Sequence, residues 1–540
     1  MKIKHEDLFK YIILFIVFML YSWGIGNLDA IRQGTEGFYL QIAKEMYEMK
    51  SFLVPQYNEM DHWSKPPLQF WMAHIGYLFA GGPGIFTSRL IIVLFSISTI
   101  FLISKKVSSL IRTPFLNIFI FILATVGMFK YSRIFMMEMP LTTLTTLASL
   151  YFYLYLKDEK YSLWIGSIFL ALSILVKGPV SLVMATGGCG LFLIVDSYLN
   201  GINFIKFKKV FNWSFVGLLL GSVWFFICYL QYGNAFFDYF FLRENMGKFQ
   251  ARPYPMRHVF QGLLIFSLPW SLYLPTTISQ FKDHFQEIKK DSFLLFSICN
   301  FLVFFLLWLV PSQRSHHYAM PSLIFFLIIN YILLTSYALN SKRKSMIRLA
   351  NITLSTLMVI TSVAFACLLI FKEVNSSISL TIKVITTCVL LLIGSYYFLR
   401  SKKLLNKYLI SFFIIGNVWN IFIPSFILPY VPEAVIKTIG NKQVGALVRK
   451  PYFIEEALER KVDWLNDQTI RQYIIENNHF YIVHRNTYEQ LNLKKLTDVV
   501  TTWKVWKRGS KAKDISKALK NNDIAILKDT VYLLKNKPLK

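Results

Sequence analysis

Three carboxylates, a set of cations and two tyrosines stand out from a chain that is otherwise mostly apolar. Glu36 and Tyr39 fall in Arg32-Gln33-Gly34-Thr35-Glu36-Gly37-Phe38-Tyr39, and Lys65 falls in Ser64-Lys65-Pro66-Pro67-Leu68. Further on come Glu138, Lys177-Gly178-Pro179, Arg243-Glu244-Asn245, Arg252 and Tyr318. A carboxylate can accept a proton from an attacking nucleophile. Lys and Arg can neutralise a phosphate as it departs, through charge-assisted hydrogen bonds. The set therefore suits an anionic lipid phosphate plus a general base. Glu36 and Glu138 are the catalytic candidates. Tyr39, Lys65, Lys177, Arg243, Glu244, Arg252 and Tyr318 are the substrate-binding ones.

Plainer roles exist for each. Glu36 can cap or pair on a helix, and Lys65 can snorkel to lipid head groups. Glu138 can pair with Arg133, and Lys177-Gly178-Pro179 can be a helix stop. The loop from Arg243 to Arg252 can be solvated surface. The adjacent His316 and His317 lack a third ligand at usable spacing, so no metal is expected.

Such residues need a scaffold, and the composition supplies one. The chain has 540 residues, 55% hydrophobic and 17% aromatic, more apolar than a soluble globular chain. Apolar runs of about 18–22 residues recur, long enough to cross a bilayer as helices. The net charge is +28, from 58 Lys+Arg against 30 Asp+Glu. Many of the basic residues sit in short loops between apolar runs, where they set membrane topology. No nucleic-acid partner is expected. The Lys-rich C-terminal region could also meet anionic lipid head groups. Cys189, Cys228, Cys299, Cys367 and Cys388 lie inside apolar runs and read as small core residues.

The run at 8–25 is too long for a cleaved signal segment and is expected to be a first span. It places the loop 27–84 outside. The short apolar stretch 66–80 is expected along the outer face. Crossing there would put Lys105, Lys106 and Arg112 outside. Further spans are expected at 85–103, 115–131, 140–156, 163–176, 180–199, 211–230, 259–278, 293–310, 321–338, 350–371, 380–399 and 408–428. The total is about thirteen. The alternation of basic and non-basic loops gathers the candidate residues on the external face. From 432 to 540 the apolar runs shorten. Strand-like stretches at 480–483 and 524–527 alternate with helix-like ones at 469–476 and 515–520. A small external α/β domain is expected there, after a transmembrane domain over 1–431.

Several of these segments resemble a known family. Thr35-Glu36-Gly37-Phe38-Tyr39 with Ile42-Ala43-Lys44-Glu45-Met46 is similar to the first-loop signature of the bacterial lipid A aminoarabinose transferases and of the protein O-mannosyltransferases. Val54-Pro55 followed by Ser64-Lys65-Pro66-Pro67-Leu68 resembles their Lys-Pro-Pro motif. Glu138, Lys177-Gly178-Pro179, Glu244-Asn245-Met246-Gly247-Lys248-Phe249 and Tyr318-Ala319-Met320-Pro321 follow in the order such members show. The resemblance implies a GT-C fold in the inner (cytoplasmic) membrane and a polyprenyl-phosphate sugar donor. It implies inverting transfer at the external face to a lipid, glycan or protein acceptor, with no nucleotide sugar and no cofactor. By position, Glu36 and Tyr39 belong to the first-loop site. Lys65 contacts the donor phosphate, Glu138 supports the site, and Tyr318 approaches the phosphate or sugar. The chain departs from the pattern at three places. Thr35 stands where the family has Asp, Ser64 where a Glu often precedes the Lys-Pro-Pro motif, and Phe38 where the aminoarabinose transferases have Arg. The rival reading, a secondary transporter or lipid flippase, favours mid-membrane charges and repeated halves. Neither is evident in this sequence.

Overall fold

The computed structural model describes residues 5–28, 35–158, 163–249, 253–371, 374, 376–448, 452–507 and 512–537. They fall in two compact units. One comprises Met1–Ile25, Ile42–Ile360 and Leu390–Asn417. The other comprises Gly26–Gln41, Thr361–Val389 and Val418–Lys540.

Apolar runs become helices because a bilayer offers backbone groups no partner, so each must be satisfied within its own segment. Among the described residues, eight helices are long and apolar enough to cross a membrane. A ninth forms if Arg257–Phe266 and Trp270–Asp283, bent by 100°, count as one. The other stretches expected to cross are helical but shorter or less apolar. These are His5–Ser22, Phe115–Leu123 with Val126–Tyr131, Glu138–Lys157 and Leu163–Lys177. Eight or nine spans, rather than about thirteen, therefore meet the standard on their own. The stretch expected along the outer face forms the helix Leu68–Ala80.

The helix Glu138–Lys157 is the interior of the first unit: every residue from Glu138 to Leu154 is buried. That burial explains its threonines. Thr143, Thr145 and Thr146 return their hydroxyls to the carbonyls of Met139, Leu141 and Thr142 at 3.0, 2.6 and 2.7 Å. Those three hydroxyls are thereby satisfied without water. Glycines let its neighbours close in. A Cβ on Gly217 would lie 2.6 Å from Leu170, so Phe204–Tyr232 packs tightly on Leu163–Lys177.

The second unit holds a five-stranded mixed sheet. A two-residue hairpin in the first unit supplies β1 (Gln56–Tyr57) and β2 (Met60–Asp61). The sheet is built from β3 (Val444–Leu447), β4 (Asp463–Trp464), β5 (Phe480–His484), β6 (Thr497–Trp506) and β7 (Lys528–Asn536), in the order β4-β3-β5-β7-β6. β3 runs parallel to β4 and β5, while β7 is antiparallel to β5 and β6. Alternation puts Phe480, Ile482, Val531 and Leu533 on one face and Tyr481, Val483 and Leu534 on the other. The strand at 480–483 and the helices at 469–476 and 515–520 are present as expected. The stretch 524–527 is not a strand. It is a helical turn, with Asp523 Oδ1 accepting the Ala525 N–H at 2.8 Å, and β7 begins just after it.

Candidate active site

The first loop is shaped by local rules. β1 and β2 pair around Asn58 and Glu59, both with positive φ (54° and 61°), as a tight hairpin turn requires. Glu45 Oε2 accepts the Glu59 N–H at 3.1 Å, and Gln56 Nε2 donates to Asp61 Oδ1 at 2.6 Å. The chain then reaches Lys65. Pro66 and Pro67 bar a helix there, and the helix Leu68–Ala80 starts directly after them. Trp71 N–H donates to the Pro67 carbonyl at 2.9 Å, and Gly81 ends the helix at φ 79°.

Lys65 meets Glu244, with Nζ 3.3 Å from Oε2, and also donates to the Ser64 carbonyl at 2.7 Å. Burial pushes the Lys65 ammonium below its ordinary value, and the Glu244 carboxylate pulls it back up. His62 contacts Ser64 through Nε2. Burial, then the Lys65 charge, hold His62 down to about 4.

Glu244 lies in Asp238–Asn245, a widened helical segment of the kind often found at functional sites. Asn245 Nδ2 fastens it by donating to the Phe240 carbonyl at 2.6 Å. Lys177 ends the helix Leu163–Lys177. Gly178 then turns the chain at φ 78°, ψ −152°, and Pro179 opens the next helix. Only glycine suits that turn, since a Cβ would also lie 2.9 Å from the Phe240 ring. Lys177 Nζ sits 4.5 Å from the Trp308 ring centre and 5.1 Å from that of Tyr318. Two aromatic faces thus hold the cation.

Lys65, Lys177, Glu244, Asn245, Trp308 and Tyr318 line one cavity of about 270 Å³. Ser64 also lines it, and the rest of its lining is apolar, with Val180, Val183, Phe240 and Leu307 among it. Glu138 opens its helix from a buried position, where the helix N-terminus favours a carboxylate. Its Oε1 stands 3.5 Å from His317 Nε2, and Ser315 Oγ lies 2.8 Å from His317 Nδ1. Its Oε2 is buried and has no hydrogen-bond partner among the described residues. The Glu138 charge reaches Lys177 and Tyr318. Arg133 donates to the Trp23 carbonyl.

Sequence reasoning thus named four residues that share this cavity: Lys65, Lys177, Glu244 and Tyr318. Arg243 does not line it; its guanidinium lies 5.3 Å over the Tyr239 ring. Arg252 lies outside the described residues. Glu36 and Tyr39 belong to the second unit. There Glu36 is fully buried at the start of the helix Glu36–Glu48, and the Tyr39 ring is 5.5 Å from Phe38. Gly37 is small because a Cβ there would lie 3.0 Å from Phe453. Trp308 and His317 were missed as site residues. Trp308 reads as one more interfacial aromatic, and the pair His316-His317 was weighed only against metal binding. Among the described residues no group of three or more His, Cys, Asp or Glu could hold a metal ion.

A helix buried along most of its length among apolar spans, a first loop ending in Lys-Pro-Pro and a C-terminal mixed sheet make this a polytopic membrane protein. The fold matches a solved example over nearly its full length. The crystal structure of ArnT from Cupriavidus metallidurans bound to undecaprenyl phosphate aligns at a TM-score of 0.67 and 12% identity, covering 97% of this chain and 98% of that one. The fold is thus that of ArnT. No protein-family model matches the chain. A protein from Aquifex aeolicus (strain VF5) described only as uncharacterized is 25% identical over 444 residues, 81% of each chain. The undecaprenyl phosphate-alpha-4-amino-4-deoxy-L-arabinose arabinosyl transferase 1 of Proteus mirabilis (strain HI4320) is 24% identical over 343 residues, 59% of this chain and 58% of its own.

Proposed function

We propose that this chain is an integral-membrane glycosyltransferase that takes one sugar from a polyprenyl phosphate and passes it to an external lipid, glycan or protein. One observation carries the reading. Lys65, Lys177, Glu244 and Tyr318, from four distant segments, line one cavity with apolar walls. Cations beside an apolar wall suit a phosphate joined to a prenyl chain. The undecaprenyl phosphate in the Cupriavidus metallidurans structure and the donor named for the Proteus mirabilis transferase point the same way.

In this mechanism an acceptor oxygen, nitrogen or other nucleophile attacks the anomeric carbon. The bond from that carbon to the phosphate oxygen breaks, and its electron pair leaves with the polyprenyl phosphate. The configuration inverts. Glu36 takes the acceptor proton, with Tyr39 beside it in the first-loop site. Lys65, Lys177 and Arg252 meet the negative charge that grows on the phosphate. Tyr318 donates its hydroxyl to the phosphate or sugar. Glu244 keeps Lys65 charged, Glu138 with His317 supports Lys177 and Tyr318, and Arg243 contacts substrate at the rim. Neither a nucleotide sugar nor a resident cofactor takes part. The protein works in the inner membrane, with a transmembrane domain over about 1–431 and the C-terminal domain and active site on the periplasmic or external face.

The test is consumption of a polyprenyl-phosphate sugar by protein in liposomes, followed by thin-layer chromatography. Wild type consumes the donor and Glu36→Gln does not. Full turnover by Glu36→Gln removes Glu36 from the mechanism, and a wild type inert toward every lipid-linked sugar overturns the reading. Mass spectrometry of envelope glycolipids and glycoproteins, with and without the chain, identifies the acceptor.

A further inference from the structure

We propose that the helix Ala512–Asn521 is an interfacial anchor that lies on a lipid surface carrying anionic phospholipid head groups. At helical spacing Ile515, Ala518 and Leu519 share one face, while Lys513, Lys517 and Lys520 share another. Ala518 is fully buried, yet Ile515 and Leu519 remain 48% and 46% exposed. The protein therefore covers only the middle of the apolar face.

Contacts on both sides of the helix set its height. After it, Asp523 N–H donates to the Ala518 carbonyl at 3.0 Å. Ile524 then packs with Phe371, Val374, Val384 and Phe422. Phe371 and Val374 lie between the apolar helical runs Ser341–Ile370 and Ile378–Arg400, Val384 lies in the first two turns of the latter, and Phe422 lies in the last turn of the run Leu404–Phe426. Before it, Trp506 donates its indole N–H at 2.5 Å to the carbonyl of Phe426, the last residue of one of those runs. A tryptophan at that level is characteristic of a membrane–water boundary. Lys528 Nζ lies 5.7 Å over the Trp506 ring and adds to the basic patch, against Asp514, Asp523 and Asp529. A helix held at the ends of spans, with bare aliphatic side chains and lysines, fits a bilayer surface. Ile515 and Leu519 enter the acyl boundary, and the lysines meet phosphates.

The proposal rests on the spans and not on the transfer reaction. The probe is full-length protein with its five cysteines replaced by alanine and an environment-sensitive fluorophore on Ile515→Cys. It is reconstituted in phosphatidylcholine vesicles with or without phosphatidylglycerol. With phosphatidylglycerol the emission shifts to the blue and is quenched by lipids spin-labelled near the head group. Each of Lys513→Gln, Lys517→Gln and Lys520→Gln lowers the ratio of docked to free helix about fivefold. Emission independent of lipid charge, whether aqueous or membrane-like, overturns the proposal. If the cysteine-free chain does not fold, hydrogen exchange on the unaltered protein decides. Amides of 512–521 exchange more slowly with phosphatidylglycerol than without it, and equal rates overturn the proposal.

Discussion

Lys65 and Glu244, 179 positions apart in the chain, meet at 3.3 Å on the wall of one cavity. Lys65 is pushed down by burial and pulled up by Glu244. Removing the Glu244 charge therefore lowers the Lys65 pKa further. The proposed mechanism needs a protonated Lys65, so Glu244→Gln should move the alkaline limb of the pH–rate profile to lower pH. Lys65→Met should cut turnover by about two to three orders of magnitude at every pH, as loss of a transition-state donor does. A pH series with the lipid-linked donor checks both.

Glu138 and His317 act as a unit in the buried interior, where low dielectric strengthens polar contacts. Glu138→Gln and His317→Gln should each destabilise the protein. The double variant should cost less than the sum, by about 1 kcal/mol. Thermal unfolding of the four proteins in one detergent measures that coupling.

Gly178→Ala should cost about 1–3 kcal/mol, because φ 78° is strained for any residue with a Cβ. Part of the loss is steric, against Phe240. Adding Phe240→Leu should therefore recover some of it, leaving the backbone strain. Thermal unfolding separates the two shares.

His62 is held down to about 4 from its ordinary 6.5. The unfolded chain thus takes up a proton between those values that the folded chain refuses. Its contribution to stability is fully present above pH 6.5 and declines as pH falls toward 4. His62→Asn should flatten that part of the stability–pH curve, measured by unfolding across the range.

The apolar runs, the basic loops and the short motifs were legible because each depends on residues near one another in the chain. Periodicity and length predict a helix wherever bilayer-scale hydrophobicity persists. Lys65-Pro66-Pro67 and Lys177-Gly178-Pro179 announce their own turns, because Pro and Gly act on local backbone angles. The misreading at 524–527 has the same root. Four apolar residues suit a strand or a helical turn equally, and the Asp523 cap decided between them.

What the sequence by itself determined is a polytopic helical membrane protein with a separate C-terminal α/β portion and a short roster of charged candidates. Only the tertiary structure decided that Lys65 faces Glu244, that Trp308 and Tyr318 cradle Lys177, and that Glu138 faces His317. It also turned Arg243 onto Tyr239 and away from the cavity wall. The reason is physical: such contacts depend on how distant helices rotate and cross, and close packing sets that rotation through side chains the local pattern does not couple.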